Sequence, residues 1–223
     1  PERNGMKVEC NVAPPALSPA ALRVLSYNVW WWCNPSSRGG CQPTTDYASL
    51  AGMHAYWKSL PRTSLVGVQE CDGGWPVLKS YLAGTVDYLR EVRVEPDGPL
   101  CTLYDPARFD FIASGRRNVW SYRYLEYVRL QDKLFGKTVF FVNTHWDHQG
   151  QDTTGHASST EQAIKEHSQP DDIVIVVGDF NVPPWVHVFP DIFEGRLGLH
   201  LDGRGSSHAQ IDMIWTNHNG DSQ

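Results

Sequence analysis

No stretch of the 223-residue chain approaches the roughly 18 to 20 consecutive apolar residues that cross a bilayer as a helix. The longest apolar runs, Ile173 to Val177 and Val139 to Val142, are of strand length. Positive charge is scarce as well. Nineteen Lys and Arg face 25 Asp and Glu, a formal charge of −6, so no general cationic surface is on offer to a polyanion. A nucleic-acid packaging role is excluded, and any nucleic-acid contact has to come from local arginines and lysines. Cysteine is sparse and irregular: Cys10, Cys33, Cys41, Cys71 and Cys101 match neither a zinc ribbon nor a redox Cys-x-x-Cys. Internal repeats and low-complexity tracts are missing, which removes solenoids and disordered scaffolds. Residue 1 is Pro, and no signal-peptide pattern is present to decide between a processed precursor and a trimmed chain.

What is present suits one globular unit with a substantial core, at 41% hydrophobic and 12% aromatic residues. Residues 1–20, with Pro14, Pro15 and Pro19, read as an N-terminal arm, and 21–223 as a single domain. Runs rich in Val, Ile, Phe, Tyr and Trp predict strands at about 22–30, 64–69, 100–104, 122–130, 137–143, 172–177 and 210–216. Helices are expected at 46–60, 74–82 and 158–167. The loop Cys33-Asn-Pro-Ser-Ser-Arg-Gly-Gly-Cys41 has ends that a disulfide can clip, the device of an oxidising compartment, so a secreted or extracellular location is expected.

Unusual polar residues fall at the ends of these strands. Arg23-Val-Leu-Ser-Tyr-Asn-Val-Trp30 carries Asn28, Leu65-Val-Gly-Val-Gln-Glu70 ends on Glu70, and Val139-Phe-Phe-Val-Asn-Thr-His145 ends on His145. Ile173-Val-Ile-Val-Val-Gly-Asp-Phe-Asn181 runs from five β-branched residues into Asp179 and Asn181. Strand ends are where ligand sites collect, because rigid scaffolds make functional groups converge at a rim. Each residue alone has a bland role: a turn cap, a left-handed turn, a packed histidine. Four strands delivering such groups in one chain point to a site.

Ser26-Tyr-Asn28, Val68-Gln-Glu70, Asn143-Thr-His145, Gly178-Asp-Phe-Asn181 and Gln210-Ile-Asp-Met-Ile-Trp215 follow in order, with intervals of 42, 75, 34 and 33 residues between Asn28, Glu70, His145, Asp179 and Asp212. Over residues 22–216 this series resembles the endonuclease/exonuclease/phosphatase superfamily, built on the fold of pancreatic deoxyribonuclease. Asn-Thr-His-Trp-Asp-His148 followed by Gly150 looks most like its metal-dependent hydrolase branch. The resemblance implies an α+β fold, a four-layer α/β/β/α sandwich of two mixed β-sheets with outer helices. It implies a phosphodiesterase, phosphatase or nuclease that aims a water in line at phosphorus. Glu70 and Asn28 would hold magnesium or manganese, with calcium also possible. His145 and Asn181 would donate hydrogen bonds to phosphoryl oxygens, and Asp179 would orient the attacking water. Asp212 would support a second histidine, and Arg123 would lie near the phosphate.

The pattern is incomplete. The family's Ser-Asp-His motif is not found, and the chain stops eleven residues after Asp212. The resemblance therefore implies that the domain lacks its C-terminal strand; His208 and His218 are poor replacements. A binding protein that keeps the scaffold without turnover is the alternative this leaves open. Zinc hydrolysis is a further reading, since Thr-His145-Trp-Asp147-His148 is half of a His-x-His-x-Asp-His motif, but the first half is missing. Trp30, Trp146 and Trp185 are candidates to stack on substrate, and His148 to line the pocket. Gly115-Arg116-Arg117-Asn118 could touch a substrate backbone. The acidic balance favours a small ester, such as a sugar phosphate, nucleotide or lipid headgroup, while DNA stays possible.

Overall fold

The computed structural model describes residues 21–29, 57–60, 62–71, 76, 79–80, 82–92, 94, 99–120, 123–148, 152–204 and 211–218. Four strands form one sheet: β1 (Val24–Asn28), β2 (Leu65–Gln69), β3 (Arg90–Glu91) and β4 (Leu100–Tyr104), in the order β1-β2-β4-β3. β1 and β2 run parallel and the other pairs antiparallel. Six strands form the second: β5 (Phe109–Trp120), β6 (Arg123–Asp132), β7 (Thr138–His145), β8 (Ile173–Asp179), β9 (His200–Arg204) and β10 (Asp212–Thr216), ordered β5-β6-β7-β8-β10-β9. Here only β7 and β8 are parallel. A parallel pair needs a long crossover, and helix α1 (Thr153–His167) supplies it.

Strand alternation divides the apolar residues among three cores. Leu65, Tyr104, Val128, Leu130, Val139, Phe141, Ile175 and Val177 meet between the sheets. Phe140, Val142, Val174, Val176 and Trp215 face the other way, onto Ala157, Ala163 and Ile164 of α1 and the π-helical turn Phe189–Glu194. Val66, Val68 and Leu103 pack outward against Trp57, Leu82, Val86 and Leu89. The result is the expected pair of mixed sheets packed face to face.

All seven expected strands are present, with two useful differences in extent. β7 continues to His145 and β8 to Asp179, so both polar residues sit inside the ladder, where register fixes them. Three strands were not expected: β3 has two residues, β9 is five residues long, and β5 is a polar edge strand whose Ser, Gly and Arg residues hide its pattern. Helix α1 starts five residues before the expected Ser158, because the Asp152 side chain accepts the Gly155 N–H at 3.1 Å and caps it. Of the other two expected helices, Trp57–Ser59 and residues 76, 79 and 80 are helical, Leu60 is a bend and Leu82 a turn, and the remaining residues lie outside the described ones. Cys33 and Cys41 lie outside them too. A disulfide does form elsewhere, between Cys71 and Cys101 with Cα atoms 6.0 Å apart, tying the end of β2 to β4.

Candidate functional site

The period of two that builds the inter-sheet core also builds the site. Along β8 the inward row is Ile173, Ile175, Val177 and then Asp179; along β7 it is Val139, Phe141, Asn143 and then His145. Register places His145 and Asp212 opposite Asp179 on its two neighbouring strands. From the facing sheet, Asn28 ends β1 and Glu70 follows β2. The inward rows of β7 and β8 are thus mostly apolar and end on polar residues at one end of the layer between the sheets.

Two residues there take the left-handed backbone conformation that side chains other than glycine rarely adopt: Glu70 at φ 56° and Asn181 at φ 53°. Asn28 joins the two sheets, its Nδ2 donating to Glu70 Oε1 at 3.0 Å and to Asp179 Oδ2 at 2.8 Å. With both amide hydrogens so used, the atom of Asn28 suited to a cation is Oδ1. The Asn181 N–H donates to Asp179 Oδ1 at 2.8 Å, and Asn181 Nδ2 to the Trp146 carbonyl at 2.9 Å, which pins the turn after β8 to the end of β7.

Behind the site lies an amide clamp. Gln69 Nε2 donates to Asn143 Oδ1 at 2.8 Å, and Asn143 Nδ2 reaches the Val68 and Cys101 carbonyls at 3.2 and 3.3 Å. These residues stand one step before Glu70 and two before His145. Their signal in the sequence was a polar residue on the inward row of an otherwise apolar strand, which assigns no partner.

Arg123 Nη1 lies 2.8 Å from His145 Nδ1. A guanidinium only donates, so Nδ1 accepts and the neutral ring carries its proton on Nε2. Burial, then the Arg123 charge, lowers the His145 pKa to about 3. His145 therefore presents a neutral Nε2–H donor, 3.8 Å from Asp179 Oδ2.

The carboxylates are crowded. Burial first, then Asp179 and Glu70, pushes Asp212 up to about 7. Burial also raises Asp179 against the lowering influence of its Asn28 and Asn181 hydrogen bonds. Asp212 Oδ1 is buried with no hydrogen-bond partner among the described residues. Glu70, His145 and Asp179 bring one donor atom each within 4.8 Å of one another. Such an oxygen-rich, negatively charged set fits a hard divalent cation. It does not fit a zinc cage, because the His145 nitrogen on that side is protonated and His148 is exposed.

The structure thus gathers Asn28, Glu70, His145, Asp179, Asn181, Asp212 and Arg123 at one end of the sandwich. Trp146 is a correction: it is fully buried, stacked on His156 and Phe189, because the residue after an inward His145 points outward. Arg117 is another, since it binds Glu166 and Gln162 on α1 at 2.7 and 2.9 Å, while Arg116 lies over the Tyr124 ring. Trp185 is 70% exposed, and Trp30 falls outside the described residues.

No protein-family model matches the sequence, and no curated protein does. Solved structures match throughout the fold. The mannosyl-6-phosphatase of Bacteroides thetaiotaomicron is similar at TM-score 0.65 and 19% identity, over 88% of this chain and 85% of that one. D. rerio TDP2, complexed with a single-strand DNA product, gives 0.64 and 16%, over 87% and 83%. The human Nocturnin catalytic domain with bound sulfate gives 0.60 and 16%, over 75% and 72%. Two mixed sheets, ordered as described and closing over a polar end built from five strand termini, give this chain the fold of the endonuclease/exonuclease/phosphatase superfamily.

Proposed function

We propose that the chain is a divalent-metal-dependent phosphoester hydrolase that directs a water in line at phosphorus. The observation that carries this reading is the meeting of Glu70, His145 and Asp179 within 4.8 Å, with Asp212 pushed up to about 7 beside them. Glu70 and Asn28 Oδ1 would hold the ion, magnesium or manganese with calcium as a third candidate. Bound there, it supplies Lewis-acid stabilisation of phosphoryl charge. Asp179, its two oxygens oriented by Asn28 and the Asn181 N–H, accepts the proton of the attacking water. His145 donates Nε2–H to a phosphoryl oxygen, and Asn181 adds an uncharged donor. Asp212 is the third carboxylate that a cation must balance. Arg123 serves the phosphate through His145, and His148 and Trp185 are the candidates to line the rim.

The substrate class stays broad: a sugar phosphate, nucleotide, lipid headgroup or DNA, the acidic balance favouring a small ester. The matched structures span a sugar phosphatase and a complex with single-stranded DNA, in keeping with that breadth. The Cys71–Cys101 disulfide supports a secreted location. Hydrolysis of bis-p-nitrophenyl phosphate with magnesium or manganese, and again with EDTA, tests the reading. Turnover should vanish with EDTA and in Glu70→Gln. Asp179→Asn should lose two or more orders of magnitude in turnover while retaining metal. EDTA-resistant turnover would remove the metal, and no turnover with any metal would favour a binding protein.

A further inference from the structure

Past β7 the chain brings a carboxylate and an imidazole back beside the site. Asp147 is buried; its Oδ1 accepts the His148 backbone N–H at 3.0 Å, lies 3.2 Å from His148 Nδ1 and 3.9 Å from Arg123 Nε. Arg123 in turn donates to His145. His148, Asp147, Arg123 and His145 thus form one chain of contacts leading into the carboxylate cluster. At its outer end the His148 side chain is 61% exposed. His156 backs the group from α1, its Nε2 accepting the Asp147 N–H at 3.2 Å.

A carboxylate beside Nδ1 favours the proton there and orients the ring, leaving Nε2 as the nitrogen that exchanges protons with a substrate. Such a group speeds hydrolysis most when the leaving oxygen belongs to an unactivated alcohol, whose alkoxide is a poor leaving group without a proton. The described residues at the centre do not supply it. With a cation among them, Glu70, Asp179 and Asp212 are acceptors, and the single ring proton of His145 faces the phosphoryl oxygen.

We propose that His148, held by Asp147, is the general acid that protonates the leaving oxygen when that oxygen belongs to an unactivated alcohol. This rests on the hydrolase reading above. Water oxygen bonds to phosphorus as its proton passes to Asp179. The bond from phosphorus to the leaving oxygen breaks with its electron pair on oxygen, which takes the proton from His148 Nε2. Solvent reprotonates the exposed ring, and Asp179 returns its proton to solvent.

Two esters that share a ring but differ in their leaving group test this: methyl 4-nitrophenyl phosphate, whose phenolate departs without a proton, and methyl 4-nitrobenzyl phosphate, whose alkoxide needs one. His148→Gln should lower kcat on the benzyl ester at least 100-fold and on the phenyl ester less than 10-fold. Asp147→Asn should show the same bias at smaller size. An equal loss on both esters makes His148 a binding residue, and no loss on either removes it from the reaction; both overturn the proposal while the active wild type keeps the hydrolase reading. A wild type inactive on both esters with every metal overturns both.

Discussion

His145 shows how a neighbouring side chain decides what an imidazole does. Burial is the larger influence holding its pKa near 3, and the Arg123 guanidinium on Nδ1 is the second. The ring should therefore stay neutral, with its proton on Nε2, from pH 5 to 8, as imidazole ¹⁵N chemical shifts would report. In Arg123→Gln the second influence is gone, so the pKa should rise above 3 while burial keeps it below the ordinary 6.5. The tautomer should no longer be fixed, and kcat should fall by one to two orders of magnitude. A wild-type ring that titrates near 6.5 would contradict this assignment. The family resemblance implied a place for Arg123 near the phosphate; its contact with His145 depends on how two strands lie side by side, which no local pattern encodes.

At the scale of elements, the sheets must approach closely where Gly67 crosses β7 and β8. A Cβ there would lie 2.5 Å from Val177 Cγ2 and 2.8 Å from Asn143 Oδ1, the atom that accepts from Gln69. Gly67→Ala should therefore cost about 1 to 3 kcal/mol in urea unfolding. It should also weaken metal binding, because β2 carries Glu70 and β7 and β8 carry its partners; unaltered stability and metal affinity together would contradict the close approach. Period-two reading recovered all the strands that deliver the carboxylates, amides and His145 of the site, since Val and Ile runs such as Ile173 to Val177 are distinctive. It missed β5, whose Gly115-Arg116-Arg117-Asn118 segment is polar because it lies on an edge and docks on α1. Trp146 was misjudged as a rim residue although its inward neighbour His145 had been identified; alternation alone sends Trp146 to the other face. Of the site, the residue types at strand ends were legible, and the Asn143–Gln69 clamp and the Cys71–Cys101 pairing, which depend on contacts between strands far apart in sequence, were not.

Across the whole molecule, buried titratable groups pull stability in opposite directions. Burial lowers His145 and His156, so the unfolded chain binds more protons than the fold as pH drops below 6.5, and acidification destabilises. Asp212 and Glu126 act in the opposite sense in the metal-free protein, both pushed up to about 7 chiefly by burial. The fold holds their protons where the unfolded chain has released them, so the stability they contribute is full below about pH 4 and is lost as pH rises through 7. Glu126 separates the two effects because it lies outside the Glu70, His145 and Asp179 group, buried between the sheets and accepting from the Thr102 hydroxyl at 2.7 Å. A shift from 4.5 to about 7 corresponds to about 3 kcal/mol between its protonation states. Glu126→Gln keeps the acceptor for Thr102 and carries no charge. It should match the wild type in urea unfolding near pH 4.5 and exceed it by up to about 3 kcal/mol at pH 8 and above. Parallel pH profiles for the two proteins would mean that the carboxyl is ionised in the fold at no cost, and that the inter-sheet layer is wetter than its packing shows.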